Sequence, residues 1–345
     1  MISDTVSKSD RPLVSAVIPT RNRPQLLTSA IRSVLRQTWW NMEAIVVVDG
    51  PDPATAACLD TITDARLRVV FLTEHRGGCD ARNAGVRAAR GEWIAFLDDD
   101  DEWLPEKIER QMRAAHQMPD WFPVVSCRLI AQSPTTSRIL PLEPYLAPQP
   151  IADFLFCRKT LRDPSGVMQS STLLTSRELL LAVPFQSGLK MHQDIDWVIR
   201  AASYRGVGFS MLRQPLSIWR VGDAYTSVGS NPDWRFSLSW IRGSRNVISA
   251  RAFSWFVAVQ CVWRARAGRA GLAARLSILR SFLFEGSPGI RSSLIFLIFA
   301  LVPRTIRRSL RKGLQRVRGD ADPALGLHLA FARKPAAPVL RKSSF

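Results

Sequence analysis

Cysteine and histidine are scarce in this chain of 345 residues, and their scarcity excludes two common kinds of site. The five cysteines are odd in number and widely spaced, and no two of them form a CxxC pair. We therefore expect no disulfide framework, and a reducing compartment. The four histidines are scattered and do not suggest a zinc site. Residues 1–12 are polar and lack the apolar core of a signal peptide, so nothing in them argues for export.

Acidic residues are nearly absent from the last third of the sequence. Residues 1–240 hold 27 Lys/Arg and 26 Asp/Glu, whereas residues 241–345 hold 20 Lys/Arg and three Asp/Glu. Almost all of the net charge of +18 therefore lies in the C-terminal region. A polycation of this kind can bind nucleic acid or an anionic membrane surface. No zinc-finger, RRM or KH pattern appears, so we favour the membrane and predict no nucleic-acid partner.

Long apolar runs are absent as well. The longest, Leu294–Val302, has nine residues, well short of the roughly 20 that a membrane-spanning helix needs. Its flanking arginines and its aromatic residues favour a shallow or in-plane membrane contact. The alternative is a helix packed on the preceding domain, with its arginine face in solvent. We also predict a basic amphipathic helix over Arg264–Arg280 and a disordered tail from residue 319.

What the sequence does contain is a regular alternation of strand and helix patterns in its first half. Apolar, β-branched runs predict strands at Leu13–Thr20, Glu43–Val48, Leu67–Leu72 and Trp93–Leu97. Helical patterns lie between them, and this alternation predicts an α/β fold. The sheet should be mostly parallel, with helices on both faces.

Beyond residue 125 the pattern is less regular. Residues 133–150 are rich in proline and serine, which indicates loops, a lid or a surface excursion. We predict a further strand at Met168–Leu174, and a helix near Asp194 because Ile195, Val198 and Ile199 recur at helical spacing.

Four consecutive aspartates, Asp98–Asp101, end the fourth predicted strand. Like charges side by side repel one another, so a cation among them would explain their placement. Carboxylate oxygens suit Mg²⁺ or Mn²⁺, which also bind phosphate oxygens. In open α/β sheets, ligands bind beyond the carboxyl ends of the strands, where these aspartates would lie. The alternative is a solvated acidic turn before a helix that starts at Trp103–Pro105.

Two more segments follow predicted strands in the same way. Asp49 and Gly50 end the second strand, where the carboxylate could meet a nucleoside or could simply open a turn. Gly77 and Gly78 precede a helix that carries Arg82, an arrangement that lets a backbone approach an anionic ligand. An ordinary helix start with an exposed arginine is the alternative.

Together these segments resemble the nucleotide-sugar glycosyltransferases of family 2, which have the GT-A fold. The resemblance covers roughly residues 13–225, and it departs at His75, where the family often has asparagine. It implies a GT-A type, Rossmann-like catalytic domain. The motifs that carry it are Val17–Asn22, Val47–Gly50, Gly77-Gly78 with Ala81–Gly85, and Phe96–Asp101.

The resemblance also implies roles for individual residues. The metal, Mn²⁺ or Mg²⁺, would be held by Asp100 with Asp98, and Asp99 remains a candidate. The base that activates the acceptor hydroxyl would be Asp194, with Asp196 as the alternative. His192 and Trp197 are weaker candidates, for the acceptor pocket and the core respectively. The residues expected to bind the donor are Pro19, Thr20, Arg21, Asn22, Asp49, Gly77, Gly78, Arg82, Asn83, Asp98 and Asp99.

The activity implied is inverting, metal-dependent transfer from a nucleotide sugar, with a UDP-sugar favoured, to a glycan or a lipid-linked acceptor in surface polysaccharide or glycolipid synthesis. The location implied is cytoplasmic, peripheral at the inner face of the membrane. Two alternatives remain: a nucleotidyltransferase-like α/β enzyme, and a basic nucleic-acid-binding protein with an inactive α/β domain.

The predicted domain organisation has four parts. A flexible N-terminus covers residues 1–12, and the catalytic domain covers residues 13–240, with a donor half at 13–125 and an acceptor half at 126–240. A basic amphipathic helical region at 241–318 would associate with the membrane, and the tail at 319–345 would be disordered.

Overall fold

The protein folds around one nine-stranded sheet. The computed structural model describes residues 11–159, 166–221 and 231–302. Within these ranges the strands are β1 Val14–Thr20, β2 Met42–Val48, β3 Leu67–Phe71, β4 Trp93–Phe96, β5 Glu102–Trp103, β6 Phe122–Gln132, β7 Ser137–Leu140, β8 Leu174–Ser176 and β9 Val207–Arg220.

The strand order places the carboxyl ends of the first four strands at one edge. The order is β3-β2-β1-β4-β8-β6-β9-β5, with β7 beside β6. Strands β1 to β4 pair in parallel, and so do β6 and β9. The antiparallel pairs are β4 with β8, β8 with β6, β6 with β7, and β9 with β5. The predicted α/β fold with a mostly parallel sheet is confirmed.

Helices cover both faces of this sheet. Alternate residues of β1 enter different cores: Val17 packs on one face, and Ala16 and Ile18 pack on the other. Because side chains of a strand alternate between faces, such a buried run needs a helix layer on each side. In chain order the helices of the described ranges are α1 Pro24–Leu35, α2 Pro53–Leu59, α3 Gly78–Ala88, α4 Lys107–Gln117, α5 Ile151–Phe156, α6 Arg177–Ala182, α7 Gln193–Ala202, α8 Trp234–Gly243, α9 Ala250–Phe256, α10 Val262–Ala267, α11 Leu272–Phe284 and α12 Ile290–Leu301.

Two local predictions near the sheet are wrong, and both fail because distant partners decide the local structure. The strand predicted at Met168–Leu174 is a 3-10 turn over Ser170–Thr172, and β8 follows it. Short hydroxyl side chains form their own hydrogen bonds here and compete with strand pairing. The helix expected from Trp103 begins at Lys107 instead, because Glu102–Trp103 pairs with β9 as a strand.

The region after residue 125 contains more sheet than its composition indicated. Strand β6 continues to Gln132, and it pairs with β9 from Phe122↔Val207 to Gln132↔Arg220. The two strands are far apart in sequence, so no local pattern shows that they meet. Strand β6 crosses the predicted boundary at residue 125, and helix α8 crosses the one at residue 240. The domain division remains a prediction.

Helices α8 to α12 pack against the rest of the fold. A short π-helical stretch, Val257–Cys261, joins α9 to α10, and its buried residues belong to the same hydrophobic core as β4 and α7. The single helix predicted over Arg264–Arg280 is broken between α10 and α11, where Arg269 has a φ of 51°.

None of the helices in the described ranges is both long enough and apolar enough to cross a bilayer. The predictions for residues 1–10 and for the tail at 319–345 concern segments outside the described ranges, and so does the part of the basic region after residue 302.

Candidate active site

The acid loop, Asp98–Asp101, lies at the carboxyl edge of the parallel strands. Strand β4 ends at Phe96, and the next amide, of Leu97, still donates to Val17 of β1 at 3.0 Å. A tight turn follows, in which the Asp101 amide donates to the Asp98 carbonyl at 3.1 Å. The aspartates therefore lie just beyond the sheet, beside the end of β1, as the sequence predicted.

Arg82 joins the acid loop to the second half of the domain. Its Nη2 donates to Asp98 at 2.5 Å and to the Ser170 hydroxyl at 3.2 Å, and its Nη1 donates to the Gln193 amide oxygen at 3.0 Å. The guanidinium is buried over the ring of Phe185, 5.5 Å from its centroid. One side chain thus connects the acid loop, the 3-10 turn and the start of α7.

Asp99 and Asp100 share a second arginine. Arg23 Nη1 lies 3.1 Å from an oxygen of each carboxylate, and the Thr20 hydroxyl donates to Asp99 at 2.8 Å. Burial, and then the charges of Asp98 and Asp99, raise the pKa of Asp100 to about 6, although Arg23 opposes the shift. The negative charge on Asp100 is therefore only partly compensated by the protein.

Asp101 has a different role from its neighbours. It is almost fully buried, and it accepts hydrogen bonds from Ser171 Oγ at 2.6 Å and Gln169 Nε2 at 2.8 Å. Burial, followed by the charge of Asp98, raises its pKa well above the ordinary value. Asp101 ties the 3-10 turn to the acid loop. Internal partners therefore explain part of the acidic run without a cation.

The donor set nevertheless fits a divalent cation shared with a phosphate. In the described ranges no three Asp, Glu, His or Cys side chains are grouped as metal ligands. Magnesium in nucleotide enzymes is commonly held by one or two carboxylates together with substrate phosphates. Asp98 and Asp100 match that arrangement, and the raised pKa of Asp100 indicates a position where added positive charge is favourable.

Asp49, at the end of β2, orders the loop before α3. Its two carboxylate oxygens accept from the backbone amides of Arg76 at 2.8 Å and Gly77 at 2.9 Å, and His75 Nδ1 lies 2.7 Å away. A Cβ on Gly50, whose φ is 96°, would meet the His75 amide at 2.9 Å. The loop therefore holds the Asp49 carboxylate in place.

The residues after β1 are divided between the site and the surface. Thr20 is buried against the acid loop, whereas Arg21 and Asn22 are exposed and Pro19 is half-buried. The backbone N–H of Asn22 donates at 2.6 Å to Asp52, the N-cap residue of α2. The sequence did not indicate this contact.

Two residues of the glycine motif shape the backbone rather than present a side chain. A Cβ on Gly78 would meet the Gln193 amide oxygen at 2.9 Å, so glycine leaves room for the Gln193 side chain beside Arg82. Gly77 has a φ of 92°, which glycine adopts without strain. Asn83, expected to bind the donor, is buried and pairs with the backbone of Phe185 at 2.8 and 2.9 Å, so its amide positions the chain.

Asp194, the predicted base, lies in the first turn of α7, across from Arg82. Burial raises the pKa of Asp194, Arg82 lowers it, and the nearby charge of Asp98 raises it again, so the net direction is upward. Hydrogen bonding to Ser170 lowers the pKa of this carboxyl, but the other effects are larger. Arg82 has a raised pKa despite its burial because Asp98 and then Asp194 stabilise its charge. The predicted donor and base residues therefore meet in one place.

Asp196, the alternative base, is held elsewhere. Its oxygens accept from Trp240 Nε1 at 2.9 Å and from Arg200 Nε at 2.7 Å, and the side chain is buried. This carboxylate connects α7 to α8. The geometry therefore favours Asp194 as the base.

The two weaker candidates lie in aromatic surroundings. His192 stacks on Trp240 with ring centroids 4.7 Å apart, and its Nε2 lies 2.9 Å from the Ser237 hydroxyl of α8. Burial, with a smaller effect of Arg264, lowers the pKa of His192 to about 3, so the ring is neutral. Trp197 is fully buried and donates to the Val183 carbonyl at 2.8 Å, as expected of a core residue.

Several residues of the site were not indicated by sequence reasoning. Arg23 and Gln193 adjoin predicted motifs, and their place beside charged motif residues is the signal that could have found them. The polar run Gln169–Thr172 interrupts an apolar context, and that interruption could have indicated a buried polar cluster.

Comparison with known proteins shows which family and which solved structures the chain resembles. The family model described as glycosyl transferase family 2 matches residues 15–180. Amylovoran biosynthesis glycosyltransferase AmsB of Erwinia amylovora is 27% identical over 277 residues, which are 78% of this chain and 89% of AmsB. The Escherichia coli protein named UDP-Glc:alpha-D-GlcNAc-diphosphoundecaprenol beta-1,3-glucosyltransferase WfgD is 35% identical over 103 residues, 30% of this chain and 41% of WfgD.

A solved structure is similar in fold. Residues 1–349 of S. aureus TarS, in complex with UDP-GlcNAc, superpose with a TM-score of 0.52 at 16% identity, covering 87% of this chain and 92% of that one.

Proposed function

Since the chain belongs to glycosyltransferase family 2, we propose that it is an inverting, metal-dependent enzyme that transfers a sugar from a UDP-sugar to a glycan or lipid-linked hydroxyl. The product would be part of a cell-surface polysaccharide or glycolipid. The names of AmsB and WfgD support this substrate class, because one refers to amylovoran biosynthesis and the other to UDP-Glc and a diphosphoundecaprenol-linked acceptor.

The observation that carries the proposal is the contact set of Arg82. It brings Asp98, at the end of β4, and Gln193, next to Asp194, to within hydrogen-bonding distance of one guanidinium. A transferase needs the donor diphosphate and the acceptor hydroxyl to meet at one carbon atom. Arg82 therefore fixes the position of Asp98, which would serve the donor, relative to the start of α7, where Asp194 would serve the acceptor.

On the donor side, Asp49 would receive the nucleoside and the acid loop would face the diphosphate. Asp98 and Asp100 would hold Mn²⁺ or Mg²⁺, which when bound offsets negative charge on the diphosphate leaving group. The N-terminus of α3, behind Gly77 and Gly78, adds backbone amides and a favourable dipole toward an anion.

On the acceptor side, Asp194 would take the proton of the acceptor hydroxyl while that oxygen attacks C1 of the sugar. The bond from C1 to the diphosphate breaks, the electron pair leaves with the diphosphate, and the proton remains on Asp194. Attack from the face opposite the leaving group inverts the anomeric centre. The raised pKa of Asp194 suits this role, because a base works best when its pKa approaches the working pH.

We propose that this reaction takes place at the inner face of the membrane, where a lipid-linked acceptor would be presented. The basic charge of the C-terminal region supports this location.

The experiment is a screen of purified protein against UDP-, GDP- and dTDP-sugars with Mn²⁺, with a lipid diphosphate-linked sugar as acceptor. We expect turnover with a UDP-sugar that EDTA abolishes, and a loss of at least about a hundredfold in Asp100→Asn. Full activity in EDTA would contradict the metal assignment. Nucleotidyl transfer to a sugar phosphate, without glycosyl transfer, would contradict the function.

A further inference from the structure

Helix α11 shows an apolar stripe to solvent. Leu272, Leu276 and Leu283 are all exposed, with 72% of the Leu272 surface accessible. They are spaced four and seven residues apart, which places them on one side of a helix. The other side of α11 is the packed one, with Ile278 and Phe282 buried. Helix α11 is therefore apolar on two sides, although a helix that packs on a domain needs only one apolar side.

Helix α12 repeats the pattern. Ile290, Leu294, Leu297 and Leu301 are exposed, at spacings of four, three and four residues, and 83% of the Ile290 surface is accessible. Its packed side carries Phe296, whose ring stacks on Phe282 of α11 at 4.6 Å. We call the exposed apolar side chains of α11 and α12 together the outer apolar face.

Both helices are firmly attached to the domain, so the outward stripes are not a result of loose packing. Arg242 of α8 forms an ion pair with Glu285 at the end of α11 and donates to the Ser281 hydroxyl at 2.7 Å. Arg266 of α10 donates to three carbonyls at the C-terminus of α12, those of Phe299, Ala300 and Val302, at 2.7 to 3.2 Å. Such contacts satisfy the helix end and fix its position.

Positive charge borders the outer apolar face. Arg275, Arg280 and Arg291 are exposed on these same helices. From residue 262 to residue 318 the sequence has thirteen Lys/Arg and one acid, Glu285, which is already paired. Apolar side chains beside exposed arginines match the boundary of an anionic bilayer, where the apolar side chains meet acyl groups and the guanidinium groups meet phosphates.

We propose that the outer apolar face of α11 and α12 docks on an anionic lipid bilayer and holds both helices in the plane of the interface. Helix α12 has 12 residues and is about 18 Å long, short of the ~30 Å hydrocarbon core, which agrees with lying in the interface. The purpose of this docking, access to a lipid-linked acceptor, rests on the proposed function. The docking itself does not.

Other occupants fit the charges less well. A second copy of the chain would oppose arginines to arginines across the contact. The segment 304–318 is itself basic, with seven Lys/Arg and no acid, so it would repel the arginines that border the face.

The test is co-sedimentation of the full-length protein with vesicles of phosphatidylglycerol and phosphatidylethanolamine, without nucleotide sugar or acceptor. We expect binding that falls about tenfold or more in Leu276→Glu/Leu297→Glu and falls with salt in the parent protein. The control is Leu181→Glu, at an exposed leucine of α6, which should bind like the parent. Arg275→Gln/Arg280→Gln should weaken binding to anionic vesicles and leave the weaker binding to neutral vesicles unchanged.

Thermal unfolding and donor hydrolysis should be unchanged in all these variants, because none of the substituted residues lies in the site. Failure of the parent to bind anionic vesicles, or equal binding of Leu276→Glu/Leu297→Glu, would overturn the proposal. A concentration-dependent dimer in light scattering that the double substitution abolishes would overturn it in favour of a second copy. Because no substrate is present, these outcomes do not depend on the proposed catalysis.

Discussion

On the donor side of the site, the acid loop takes its position from the edge of the sheet, whereas on the base side Asp194 depends on helices that come later in the chain. The donor-side residues follow β1, β2 and β4 directly. Backbone amides hold Asp49, and the side chains of Thr20, Arg23 and Arg82 hold the acid loop. On the base side, α7 is held through Asp196 and His192 by Trp240 and Ser237 of α8. The comparison indicates that donor-side changes should affect binding and charge, and that base-side changes should affect turnover.

The largest effect that would separate the two sides is expected from Asp194→Asn. Turnover should fall by about a thousandfold, because the amide cannot accept the acceptor proton. The affinity for UDP, measured by calorimetry with Mn²⁺, should change by less than about twofold. Equal losses of affinity and turnover would mean that Asp194 is a structural cap of α7.

Arg82→Lys should affect both sides at once. Lysine keeps the charge but cannot bridge Asp98, Ser170 and Gln193 together, so we expect a loss of about a hundredfold in turnover and about 2–3 kcal/mol in unfolding free energy. Denaturant unfolding and steady-state kinetics measure the two losses. The control is Arg76→Lys, an exposed arginine of the adjacent loop, which should stay within about twofold of the parent.

Trp240→Phe should act on the base side alone. Phenylalanine can keep the stacking on His192 but loses the hydrogen bond to Asp196, so we expect kcat to fall about three- to tenfold with an unchanged UDP affinity. Trp121→Phe, at an exposed tryptophan before β6, is the matched control. A change in UDP affinity equal to the change in kcat would break the proposed separation of the two sides.

Asp100→Asn tests the donor side through pH. The folded protein raises the pKa of Asp100 to about 6, so ionising this group costs folding free energy above that pH. The cost disappears as pH falls from 6 toward the ordinary aspartate pKa, where the group is protonated in both states. Without metal, the variant should therefore be more stable than the parent at pH 8, by about 1 kcal/mol, and equal to it near pH 4. Thermal unfolding in EDTA between pH 4 and pH 8 measures this difference in stability. A variant less stable than the parent at pH 8 would contradict the raised pKa of Asp100.

The sequence could predict those groups of the site that lie close to a local pattern. Asp49 and Asp98 each follow an apolar run that reads as a buried strand, so local pattern and the strand-end rule locate them. The helix of Asp194 also follows from spacing. In these cases the information lies within about ten residues of the group concerned.

The remainder depends on contacts between distant parts of the chain. Gln169 donates to Asp101 across 68 residues of sequence, and Trp240 donates to Asp196 across 44. The hydrophobic periodicity of a segment carries no information about such contacts. For the same reason the turn at Ser170–Thr172 was predicted as a strand, and the long pairing of β6 with β9 was not predicted.

The central claim is a single displacement in which Asp194 activates the acceptor opposite the leaving diphosphate. Its most direct test is the anomeric configuration of the glycoside formed from an α-configured UDP-sugar, determined by proton NMR. The account predicts the β anomer. An α product would contradict it, since retention needs a second displacement or attack from the same face.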